Sequence, residues 1–124
     1  MCSLRLRTDK EVCQLFMRLF ANTNHSDGAQ IIFDSLFEDF KLCFQNIDVL
    51  KNEPYWKMDD VFVVEANMEY IGDVTDEQFI SFLESIADKW QFFGEIVKEE
   101  ALASDTMEEC NFLKKGVKMI NIIY

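Results

Sequence analysis

Glycine and proline are scarce in this chain, four and one in 124 residues. That scarcity excludes a disordered or loop-rich polypeptide, which needs many residues that break regular structure. Histidine occurs once, as His25, within the polar run Asn22-Thr23-Asn24-His25-Ser26. A Cys/His or Ser/His nucleophile pair would have to use it, and no sequence neighbour offers it a partner. His25 therefore reads as a solvated loop residue. The cysteines Cys2, Cys13, Cys43 and Cys110 are spaced by 11, 30 and 67, with no C-x-x-C pair and no metal-ligand pattern. No apolar run at the amino terminus is long enough for a signal peptide or a membrane span. The chain is expected in the cytoplasm with its cysteines as thiols, Cys13 and Cys43 acting as small core hydrophobes. The motifs of phosphate-loop, dinucleotide, zinc-protease and serine-hydrolase sites are all missing. These absences point to a non-enzyme with no cofactor and no metal.

Basic side chains are scarcest in one stretch. Between Asp59 and Glu109 stand 15 acids against two bases, Lys89 and Lys98, a net charge of −13 in a chain whose total is −11. Residues 1–58 sum to −1 and residues 110–124 to +3. A field of this sign repels nucleic acid and anionic membrane, and it attracts and steers cationic protein surfaces. The basic clusters Arg5/Arg7 and Lys114/Lys115/Lys118 are too small for a phosphate-binding surface.

Apolar residues, by contrast, are plentiful. They make up 49% of the chain and include twelve Phe, enough for a substantial core. Burial of each Phe is worth roughly 1.5–3 kcal/mol, which offsets repulsion among the acids. Thr8-Asp9-Lys10-Glu11 has the form of a capping box, and Val12, Leu15, Phe16, Leu19 and Phe20 follow at helical spacing. A second helix is expected from Ser26 or Asp27, with Phe33, Leu36, Phe37, Phe40, Phe44 and Ile47 on its stripe and Asn52 to Pro54 as its stop. From Asp60 the period becomes two. Phe62, Val64, Ala66, Met68 and Tyr70 face one way, and Val61, Val63, Glu65, Asn67 and Glu69 the other. Thr75-Asp76-Glu77-Gln78 is a second capping box, before a helix carrying Phe79, Phe82, Leu83, Ile86 and Trp90. Residues 92–97 and 117–124 read as strands; residues 99–109 stay untyped.

These readings give an α+β fold in a single domain, residues 1–124. An N-terminal helical hairpin covers about 8–51. A β-α-β-β unit covers about 60–124, its small sheet carrying helices packed on one face.

Paired carboxylates such as Asp59/Asp60, Asp76/Glu77, Glu99/Glu100 and Glu108/Glu109 are too numerous to single out a catalytic pair, and they read as a solvated acidic face. A calcium loop at Asp73, Asp76 and Glu77 fails, because Val74 takes an alternate ligand position and Gly72 precedes the acids. Tyr55 and Trp56 stand beside Pro54 and just before Asp59 and Asp60. Exposed aromatics beside acids are frequent interface anchors, whereas a Tyr or Trp at a core margin is common, and the pair reads first as capping the end of the helical part.

Within residues 61–98 the order is a strand, Gly-Asp-x-Thr-Asp-Glu at a helix start, Phe-x-x-Phe-Leu-x-x-Ile, then Trp-x-Phe-x-Gly. This layout resembles small acidic immunity proteins of bacterial toxin–immunity systems, including those of contact-dependent growth inhibition. The resemblance implies a non-enzymatic cytoplasmic inhibitor that occludes the active site of one cognate toxin C-terminal domain, a basic nuclease. It carries over no interface residue. Charge localisation supplies the candidates for partner contact: Glu65, Glu69, Asp73, Asp76, Glu77, Glu84 and Asp88, flanked by Tyr55, Trp56, Asp59 and Asp60. The alternatives are an acidic nucleic-acid mimic inhibiting a defence nuclease, and a non-catalytic adaptor on a basic, ribosome-like complex.

Overall fold

Val12–Ala21 forms a strand, β1, where helical spacing predicts a helix. The computed structural model describes residues 12–73, 76–94 and 100–124, so the capping box at Thr8–Glu11 lies outside the described residues. The segment fits two periods at once, since Leu15 and Leu19 belong to both. The period of two wins, burying Cys13, Leu15, Met17, Leu19 and Ala21 on one face. Phe16 and Phe20, which completed the helical stripe, lie on the opposite face of the same strand.

Helix α1 does begin at Ser26, but it ends at Ser35. From there Leu36, Phe37 and Phe40 bond back three residues, and a short 3₁₀ turn follows at Lys41–Cys43. Strand β2 then runs over Phe44–Pro54, where the long second helix was expected. Asn46, Ile47, Asp48, Val49 and Asn52 are weak helix formers. The neighbouring strand β3, Phe62–Ile71, pairs with Asp48, Val49 and Asn52. The expected helical hairpin is therefore replaced by a strand, one short helix and a second strand.

Helix α2 spans Glu77–Ile86, followed by β4 (Gln91–Phe93), β5 (Glu100–Ser104) and β6 (Val117–Ile123). Of the strand expected at 92–97, Phe92 and Phe93 lie in β4, Gly94 leaves the strand with a positive φ of 141°, and residues 95–97 lie outside the described residues. The untyped stretch opens with β5. All six strands form one antiparallel sheet in the order β2-β3-β1-β6-β5-β4, and this corrects the β-α-β-β unit as well.

Both helices lie over the same face of the sheet. Ala29, Phe33, Leu36 and Phe37 meet Phe79, Phe82, Leu83 and Ile86 there, above Leu15, Met17, Leu19, Met68 and Tyr70. Phe82 is the hub of this core. Its ring stacks on Phe37 at 5.6 Å and meets Phe44 at 4.7 Å, Phe40 at 5.5 Å and Phe79 at 6.2 Å. Trp90 packs at the core margin and donates its indole N–H to the carbonyls of Leu83 and Ala87. Cys43 and Cys110 carry free thiols, whereas Cys13 is buried and disulfide-bonded, which corrects the expectation of a thiol there. Among the described residues no helix is long and apolar enough to cross a membrane.

Asp76 caps α2. Its Oδ1 accepts the Phe79 N–H at 2.8 Å and the Tyr70 hydroxyl at 2.8 Å. Asp76→Ala is expected to cost about 1–2 kcal/mol for the lost cap, with a further loss from the orphaned Tyr70 hydroxyl, measured by urea denaturation. Burial first, then the Asp76 carboxylate, push the Tyr70 phenol far above its ordinary range. The fold thus keeps a proton that the unfolded chain releases. Stability is intact below a pH of about 10 and falls as pH rises beyond it. Tyr70→Phe is expected to flatten this alkaline loss in unfolding curves taken across that window.

Candidate functional site

The fold scatters the acidic candidates over four places. Glu65 and Glu69 lie on the sheet face away from the helices. There Glu65 takes an ion pair from Arg18 at 2.7 Å. Glu69 accepts from Gln14, Gln45 and Asn46 at 2.8–2.9 Å, tying β1, β3 and β2 together. These three bonds hold the Glu69 carboxyl below its usual pKa. Asp73, Asp76 and Glu77 gather at the junction of β3 and α2, and Asp76 is committed to its cap. Glu84 is exposed on α2. Asp88 follows α2 and accepts the Asn111 backbone N–H at 2.7 Å and its side-chain amide at 3.0 Å, which lower its pKa. Glu65, Glu69, Asp76 and Asp88 are thus held by internal partners, and no single face presents the whole set.

Tyr55, Trp56, Asp59 and Asp60 do come together, at the tip of the β2–β3 hairpin. The tip is built rather than loose. Tyr55 donates its backbone N–H to Val61 at 2.8 Å, and Met58 donates to the Tyr55 carbonyl at 3.3 Å. Asp60 takes a left-handed backbone, φ 61°, a conformation that Asp tolerates better than most residues. The Tyr55 ring meets Phe20 edge-on at 4.9 Å, joining a small second cluster with Val61, Val63 and Met119. Trp56 follows, 82% exposed, 6.2 Å from the Tyr55 ring and with the Lys57 ammonium 5.0 Å from its centroid. Asp59 and Asp60 are exposed, and no described base forms an ion pair with either.

No family model, curated protein or solved structure matches this chain.

Two hollows flank the tip and share Met58 and Lys118. One, of about 180 Å³, has an apolar floor of Phe20, Tyr55, Met58 and Met119 and a rim formed by Ser104, Asp105 and Thr106. The other, of about 510 Å³, is polar and brings Asp59 and Asp60 opposite Asn22 and Asn24. Lys118 is held by Asp105 at 3.0 Å, so its charge is locally balanced. The arrangement offers an exposed aromatic, two exposed carboxylates and an apolar recess, which together fit a protein surface carrying a cation beside an apolar side chain. Met58, Met119 and the Asp105–Lys118 pair were not legible as site residues. Met119 and Lys118 reach the tip from β6 and Asp105 from the turn after β5, far away in sequence, whereas Met58 belongs to the tip itself. Among the described residues no group of acids, cysteines or histidines is arranged to hold a metal ion.

Proposed function

We propose that this chain is a non-catalytic inhibitor that binds one basic protein and occludes its cationic surface, with a cognate nuclease toxin as the partner and the protein acting as its immunity factor. The observation that carries the reading is the hairpin tip. Trp56 projects into solvent beside two carboxylates that form no ion pair among the described residues, in a molecule of net charge −11. An aromatic of this size left exposed is costly unless something covers it. The carboxylates steer a cationic partner toward it, and complementary fields of this kind raise association rates to about 10⁸–10⁹ M⁻¹s⁻¹ at low salt. The contact set is narrower than charge alone implies, because four of the acids already serve the fold.

The test is capture on the immobilised protein from the cytosol of its native cell, at low and high salt. The expected result is one basic protein, retained stoichiometrically through high salt, whose nuclease activity is lost on adding the chain. A broad set of ribosomal and nucleic-acid-binding proteins, all released as salt rises, would overturn the single-partner reading.

A further inference from the structure

Among the described residues, strand β2 is an edge of the sheet, paired only with β3. Edge strands present a row of unpaired backbone groups, and proteins commonly guard them. Here the guards stand at the two ends of the strand. Asn46 has a positive φ of 54° and sits in a register shift between Gln45 and Asp48, while Pro54 closes the other end. Between them, Ile47, Val49 and Leu50 are exposed at 41%, 37% and 53%.

The segment Ile47-Asp48-Val49-Leu50-Lys51-Asn52 has a two-fold pattern of faces. Ile47 and Val49 border a groove of about 660 Å³ on the helix side, floored by Phe33 and Phe37 of the α1 region. Asn52 also turns to that side, donating its side-chain amide to the Ser26 carbonyl at 3.0 Å. Asp48 and Lys51 pair with Asn67 and Glu65 of β3, on the face away from the helices. A register shift between Val49 and Lys51 makes Leu50 the extra residue. Without that bulge, Asp48 and Lys51, three apart, would point to opposite faces. With it, Ile47 and Asn52 share the helix face and Asp48 and Lys51 the opposite one, placed symmetrically about the Val49–Leu50 midpoint.

We propose that two copies of this chain pair β2 to β2, antiparallel about that midpoint, to make one continuous sheet across the dimer. In this register Asp48 of each copy lies opposite Lys51 of the other, on the same face. Val49 lies opposite Leu50, and Ile47 opposite Asn52. Two opposite-charge cross-strand pairs then select the register, and the exposed aliphatic side chains are covered along the groove. Trp56 to Asp60 lie beyond Pro54 and outside the seam, so each copy keeps its hairpin tip open. This interface is independent of the partner proposed above.

The test is sedimentation velocity over a concentration series extending to millimolar protein, in moderate salt that screens the like net charge of the two copies. The wild-type chain is expected to shift from one-chain to two-chain mass as concentration rises. Asp48→Lys alone and Lys51→Asp alone should each remain at one-chain mass, because each sets like charges opposite one another. An equimolar mixture of these two variants restores both pairs and should reach two-chain mass. The chain carrying both substitutions should self-associate as the wild type does, which separates loss of pairing from loss of folding. One-chain mass for the wild type at every concentration, association of either single variant at the wild-type level, or failure of the mixture or of the doubly substituted chain to associate would each overturn the proposal.

Discussion

Phe82→Ala is expected to remove about 3–5 kcal/mol from the unfolding free energy, the usual range for truncating a fully buried phenylalanine. Phe82 is wholly buried, and four aromatic rings surround it. Phe37 and Phe40 come from the connection between α1 and β2, Phe44 from the start of β2, and Phe79 from α2. Truncation therefore opens a cavity where separate chain segments converge, and no single one of them can shift to fill it. Domains of this size are stable by only about 5–15 kcal/mol, so the variant is expected to be marginal at room temperature. Urea denaturation supplies the check. Ile80→Ala, on the same helix but 40% exposed, is the control and should cost much less. Comparable losses in the two variants would mean that the aromatic cluster is not the centre of the core.

Trp56→Ala is expected to weaken partner binding by about 2 kcal/mol or more, roughly thirtyfold in dissociation constant, with the unfolding midpoint nearly unchanged. The reason is its position. The ring covers little of the protein's own surface, so its removal subtracts from an interface and not from the core. Adding Asp59→Lys to Trp56→Ala should slow association further and reduce its salt dependence. Asp60 is a poorer choice for charge reversal, because its left-handed backbone mixes a folding cost with the binding effect. Titration calorimetry with the captured partner decides the matter. If Glu77→Lys and Glu84→Lys on α2 abolished binding while the tip variants bound normally, the contact surface would be the helical side of the molecule.

The acidic window illustrates how far charge counting carries. Its field favours encounter with a basic surface, an expectation that needs no fold. It says nothing of which carboxylates are available. Glu69 is occupied by amides from β1 and from β2 at the sheet edge, Glu65 by Arg18, and Asp76 by Tyr70 and its own helix. Those partners lie up to 55 residues away in sequence and become neighbours only through strand register. The tip is different. Tyr55, Trp56, Asp59 and Asp60 are close in sequence, so their grouping was visible before any coordinates; the recess beside them, assembled from β1, β6 and the turn after β5, was not.

The sequence by itself determined the elements whose signals are local. Helix α2 has a capping carboxylate and a stripe of Phe79, Phe82, Leu83 and Ile86, all buried. Strand β3 alternates from Val64 onward, and β6, rich in Val and Ile, begins just after Gly116. Tertiary structure alone decided Val12–Ala21 and Phe44–Pro54. Their apolar residues satisfy helical and strand periods equally, or are too sparse to favour either. A helix closes its hydrogen bonds within itself, whereas a strand depends on another stretch of chain for its partners. For β1 those partners are β3 and β6, about fifty and one hundred residues further on, and no local pattern records that they will be there.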